Sequence, residues 1–222
     1  NGQYIGMLNI REPNNKHFVE ANYALDEDEI DQFEMSPDSG YIQKCGTDES
    51  ILQWYSLSMR AADAATYEKI CSLVDIDEYI NYMAVELYLG SDDWPQNNVK
   101  GFKPRYEDGK FRFVLFDLDH SFNLSSNAFE TFAGKSNYSF AHASGSSVGM
   151  QGGIKLVSIF LNMLKNDTFR KQFIDTYSLV AGSVFVPERC NAIIDSMARN
   201  TEKALGLEGK SPWWTADDLK SR

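Results

Sequence analysis

No stretch of this chain approaches the roughly 20 consecutive apolar residues that a membrane-spanning helix needs, and its first residues do not read as a signal peptide. Cysteine is scarce. Cys45, Cys71 and Cys190 stand far apart, odd in number and without a Cys-x-x-Cys pair, so neither a zinc site nor a disulfide framework is indicated and they read as small apolar filler. Histidine is equally scarce: His17, His120 and His142 share no His-x-x-x-His spacing and have no nucleophile beside them. A zinc hydrolase and a Ser-His-Asp triad therefore find no support, and each histidine reads as a surface or packing residue. Basic residues are outnumbered, 21 Lys and Arg against 32 Asp and Glu for a formal net charge of -11, and no basic stripe stands out. Binding to a nucleic-acid backbone, which relies on clustered cations that release counterions, is not expected.

What is present is apolar material. Of the 222 residues 43% are hydrophobic, enough for one sizeable core or for two small lobes sharing a cleft. Asn1-Gly2 is a hairpin-turn signal and Gln3 to Ile10 has strand character, while the strand that should precede the turn is missing. The expectation is a piece of a longer domain. Arg11 to Asn15 reads as a polar turn, and Asp26 to Asp31 as an acidic, solvated run around a short helix. Ser50 to Arg60 and Ala64 to Leu73 have helical spacing.

The clearest helix spans Asp75 to Gly90. Asp75 and Glu78 make a capping-box pattern, Ile76, Tyr79, Ile80, Met83 and Leu87 recur on one side, and Gly90 suits the C-terminal cap. A polar loop follows, Ser91-Asp92-Asp93-Trp94-Pro95-Gln96-Asn97-Asn98, in which Pro95 forbids further helix. Val99 to Tyr106 and Phe111 to Phe116 then read as two strands joined by a turn at Glu107-Asp108-Gly109-Lys110, and the second runs into Asp117-Leu118-Asp119. Ser125 to Gly153 reads as a long loop. The rest predicts three supporting helices, carried by Leu156 to Leu164, by Phe169, Phe173 and Tyr177, and, behind Pro187, by Cys190, Ile193, Ile194 and Met197.

Phosphoryl transfer asks little of a protein: one carboxylate to orient and deprotonate the attacking hydroxyl, and oxygen ligands for the cations that neutralise the phosphates. Protein kinases set these out as helix, loop with Asp and then Asn five residues on, hairpin, and a second Asp. Asp93, Asn98 and Asp117 stand in that order. The alternative for Asp93 and Asn98 is a turn whose side chains bond local backbone. Asp117 and Asp119, at alternate positions of an extended chain, would face one way and repel each other unless a cation or basic group lay between them. A calcium loop starting at Asp117 fails, because its sixth position is Phe122 and its twelfth Ala128. A two-carboxylate glycosidase built on Asp93 and Asp117 has nothing to fix the separation.

At these residues the chain resembles the CotH kinase family. The family patterns are Asn-Gly-x-Tyr-x-Gly ending in a Glu, Asp-Trp-Pro-x-Asn-Asn, and aromatic-Asp-Leu-Asp-x-Ser-Phe; here they stand as Asn1 to Gly6 with Arg11-Glu12, Gly90 to Asn98, and Phe116 to Phe122, with Phe116 where Trp is usual. Asn166 to Arg170 and Val186 to Arg189 look like looser landmarks. The resemblance implies an α+β, atypical protein-kinase-like fold: residues 1-48 end the N-lobe and the interlobe connection, and 49-222 form a mostly helical C-lobe with a short hairpin. It further implies a bacterial, secreted or cell-surface enzyme outside the cytoplasm that uses ATP and Mg2+ or Mn2+ to phosphorylate Ser or Thr of an exported protein substrate. Residue by residue, Asp93 would be the catalytic base, Asn98, Asp117 and Asp119 metal ligands, and Glu12 a nucleotide contact. A Gly-x-Gly-x-x-Gly loop is absent from the sequence, and the Lys that pairs with the phosphates would belong to strands before Asn1. A non-catalytic surface or matrix protein that keeps the fold for binding is the other reading.

Overall fold

A computed structural model describes residues 3, 8, 10–36, 40–122, 127–134, 156–208 and 215–221. The chain divides into two compact units, Asn14–Ser178 and a second made of Asn1–Pro13 with Leu179–Arg222. The architecture is mixed α+β. Among the described residues no helix is long and apolar enough to cross a membrane.

The larger unit holds an antiparallel sheet of four strands, β1 (Ile30–Ser36), β2 (Gly40–Cys45), β3 (Val99–Pro104) and β4 (Arg112–Val114), in the order β2-β1-β3-β4. Phe33 faces Gly101 across the β1–β3 ladder, and a Cβ on Gly101 would lie 2.5 Å from the Phe33 ring, so the missing side chain makes room for the aromatic one. The acidic run expected to be solvated ends differently. Ile30 opens β1, and Asp31 is buried in it, its carboxylate accepting the Thr47 N–H at 2.8 Å. A backbone partner across the strand connection is what lets that charge leave water.

Helices α1 (Lys16–Tyr23), α2 (Glu49–Ser58), α3 (Ala64–Leu73), α4 (Ile76–Leu89), α5 (Ala128–Gly134), α6 (Leu156–Met163) and α7 (Asp167–Leu179) complete it. Asp63 caps α3 by accepting from Thr66 N. Asp75 caps α4 the same way, through Glu78 N, while Gly90 closes it at φ 58. Only half of the predicted capping box forms. The Asp75 N–H donates to the Phe111 carbonyl, and Glu78 turns to accept the Phe113 N–H at 2.9 Å, so the helix start is stitched to β4. The core is an aromatic seam: Trp54 packs on Tyr79 and Phe111, Tyr79 on Phe113 and Phe169, and Phe160 on Phe132 and Phe173.

One of these expectations is corrected. The predicted loop 125–153 contains α5, whose first turn is held by Asn127 accepting from Phe129 N and Glu130 N, and whose Phe132 is buried against Trp94. The predicted opening strand, Gln3 to Ile10, and the remainder of that loop fall mostly outside the described residues.

In the other unit a π-helical turn (Val180–Val184) precedes α8 (Pro187–Glu208), which pairs with α9 (Ala216–Lys220) through contacts that include a Lys220–Asp195 ion pair. Of the apolar positions predicted for α8, Cys190 and Ile194 are half-buried, whereas Ile193 and Met197 are 52% and 64% exposed.

Candidate active site

Helix α4 delivers the loop 91–98. Trp94 pins it: the indole is buried, donates to the Tyr82 hydroxyl at 3.0 Å and stacks on Phe132 with ring centroids 5.0 Å apart. Asp93 is thereby held half-buried at the bend, and it collects donors. Ser91 Oγ donates to Asp93 Oδ1 at 2.7 Å, while Asn98 Nδ2 at 2.8 Å and Asn97 Nδ2 at 3.4 Å donate to Oδ2.

Asn98 is buried and adopts φ 57, the left-handed region that Asn tolerates better than most residues. Its amide faces Asp93 with the NH2 group, which donates to Oδ2. The Asn98 carbonyl oxygen is consequently turned away from Asp93, the orientation a hard cation would need from it.

The third segment departs from the extended strand expected of it. β4 stops at Val114, opposite Lys100, one residue short of the start of β3 at Val99, and no residue of β3 is left to pair with Phe116. Asp117 sits at φ 56, and residues 119–122 turn back. Ser121 N donates to Leu118 O, and Phe122 N donates to Leu89 O at 2.6 Å. His120 Nδ1 lies 2.8 Å from Asp92 Oδ1, which raises the imidazole pKa. The premise that Asp117 and Asp119 lie on an extended chain therefore does not hold, since Asp117 takes a left-handed φ and a turn begins at Asp119. Both carboxylates are exposed. Next to them Lys100 sits 4.8 Å from the centre of the Phe116 ring, with Glu34 as its ion-pair partner at 3.4 Å.

Asn98 Oδ1 and the two exposed carboxylates would offer oxygen ligands only, the donor type of a hard divalent cation and not of a thiophilic metal. Among the described residues, the one group of three His, Cys, Asp or Glu ligand atoms lying within 4.8 Å of one another is elsewhere, at His17, Glu20 and Glu27. There His17 and Glu20 are exposed and Glu27 is half-buried, and Glu27 is already engaged: His17 and Lys16 both contact it, and Lys16 also holds Asp28 at 2.8 Å. Glu12 belongs to the smaller unit and is exposed in irregular backbone.

Sequence reasoning passed over one buried acid. Glu86, in the last turn of α4, is 1% exposed and neither carboxylate oxygen has a hydrogen-bond partner. Burial, and then the charge of Asp93, push its pKa up to about 8; the Tyr82 hydroxyl draws it partly back without reaching hydrogen-bonding geometry. The signal available was an acid within the apolar stripe Tyr82, Met83, Leu87 and Leu89.

No curated protein matches the chain. A family model described as CotH kinase protein matches residues 1–211, taking in the Asp93 loop, the turn at Asp117 and helices α1 to α8. With the match spanning nearly the whole sequence, the chain belongs to the CotH kinase family.

Proposed function

We propose that the chain is the catalytic portion of a kinase that transfers the terminal phosphoryl group of ATP to Ser or Thr hydroxyls of an exported protein, outside the cytoplasm, and that its fold is protein-kinase-like. The observation that carries this reading is the Asn98 Nδ2–Asp93 Oδ2 hydrogen bond of 2.8 Å, which couples a prospective base to a prospective metal ligand at the five-residue spacing kinases use. Asp93, fixed by Ser91 and Asn98, orients the acceptor hydroxyl and takes its proton. Asn98 Oδ1, Asp117 and Asp119 hold the divalent cation. When bound, Mg2+ or Mn2+ neutralises phosphate charge as it shifts during transfer. Glu12 is assigned to the nucleotide.

A thermal-shift titration of the full chain with Mg-ATP and Mn-ATP, beside Asp117→Ala, tests the site. A ligand that binds only the folded state must raise the melting temperature. A metal-dependent rise in the wild type that is lost in the variant is the expected result. No rise even at nucleotide well above millimolar would replace the kinase reading with that of a non-catalytic binding module.

A further inference from the structure

Glu86 lies directly beneath the loop that carries Asp93. It lines a cavity of about 10 Å³, at the lower limit of room for a single water, together with Ser91, Trp94, Thr131 and Phe132. An ionised carboxylate without a partner in such a place is strongly disfavoured, so the group is held as the neutral acid. That acid has an O–H, and the O–H needs an acceptor.

The direction of the neighbouring hydrogen bonds supplies one. The single hydroxyl proton of Ser91 is committed to Asp93 Oδ1, leaving Ser91 Oγ with only acceptor capacity for the cavity. We infer that Glu86 is a positioning residue: a neutral carboxylic acid that donates across the cavity to Ser91 Oγ, directly or through one water, and so fixes Asp93 through the Ser91–Asp93 hydrogen bond. Asp93 accepts hydrogen bonds from Ser91 and Asn98, whereas neither carboxylate oxygen of Glu86 has a hydrogen-bond partner. The titratable groups facing Glu86 are Asp93 from the loop and Tyr82 from its own helix, while α5 contributes Ala128, Thr131 and Phe132 to the cavity. No proton is transferred to substrate by Glu86; its contribution is orientation. This role rests on the kinase reading above.

The test compares Glu86→Gln with Glu86→Met in the full chain, following phosphoryl transfer, melting temperature and pH dependence. Gln keeps a donor and cannot ionise, so transfer at pH 7 stays near the wild-type rate and no longer declines above about pH 8, where the wild-type acid ionises. Met removes the donor, and also removes an unpartnered polar group from the core. Its melting temperature is therefore at or above that of the wild type, while kcat drops about tenfold with KM for the nucleotide unchanged, as expected when a catalytic group is slightly misplaced. An unchanged kcat in Glu86→Met, or a loss in Glu86→Gln as deep as in Glu86→Met, overturns the assignment. If the wild type transfers no phosphate at all, the kinase reading fails and infrared spectroscopy judges the arrangement separately. A protonated-carboxyl band at pH 7 that Glu86→Gln abolishes and Ser91→Ala shifts upholds the Glu86–Ser91 link, and absence of that band sinks it.

Discussion

His120 Nδ1 and Asp92 Oδ1 lie 2.8 Å apart and join two segments separated by a hairpin, the loop that presents Asp93 and the turn that presents Asp117 and Asp119. Both partners are solvent-exposed, so the pair adds little to global stability. Its value is local. Replacing His120 with Ala is expected to leave the melting temperature nearly unchanged while weakening Mg-ATP binding a few-fold, as read by calorimetry. A large fall in melting temperature with unaltered nucleotide affinity would show that the contact serves the fold and not the site.

Asp93→Asn keeps the size of the side chain and discards its basicity. A positioned general base contributes about 10²–10⁴-fold, so transfer in the full chain should fall by that order while Mg-ATP still raises the melting temperature. Radiolabel transfer at saturating substrate measures it, and a loss below tenfold argues against Asp93 as the base.

The frame of the candidate site was legible in the sequence for local reasons. The caps of α4, Asp75 and Gly90, are short-range chemistry, and so is the Asp93 to Asn98 spacing. What escaped depends on distant partners. α5 is held through Phe132 on Trp94, and Asp31 is buried because Thr47 reaches it; neither relation leaves a period in the sequence. Strand β1 was hidden for the same reason, since Asp31 and Gln32 are buried polar residues that break its apolar pattern. The strand expected to extend to Phe116 ends at Val114; β3 begins at Val99 and so has no residue opposite Phe116, a matter of register.

Two buried glutamates give stability a pH dependence. Burial lifts Glu78 to about 7 and Glu86 to about 8, from an ordinary 4.5. Below about pH 4.5 each is protonated whether folded or unfolded, and the cost of ionising it in the fold is absent. As pH rises from there, the unfolded chain ionises first, and this contribution to stability is progressively lost until the folded-state value has been passed. Urea unfolding at pH 5, 6.5 and 8 should therefore show the stability of Glu86→Gln rising relative to the wild type as pH increases. A difference independent of pH would mean that Glu86 ionises normally in the fold.

Asn166 works at both ends of its amide. Nδ2 donates to the Ala61 carbonyl at 3.0 Å, and Oδ1 accepts the Phe169 N–H at 3.2 Å, opening α7. Asn166→Ala leaves a buried carbonyl unpaired and removes a cap, a loss of about 2–3 kcal/mol in chemical denaturation. Asn166→Asp retains the acceptor alone and should lie between the two.

The stitching of α4 to β4 has a mechanical consequence. Residues 111 to 122 travel alongside the helix from start to finish, fastened at one end through Asp75, Glu78 and Arg112, and at the other through Leu89 and Asp92. The loop bearing Asp93 and the turn bearing Asp117 thus hang from one doubly anchored rail. Under the proposed kinase reading, the gauge between the proposed base and the proposed cation ligands is therefore set by that rail before any nucleotide arrives.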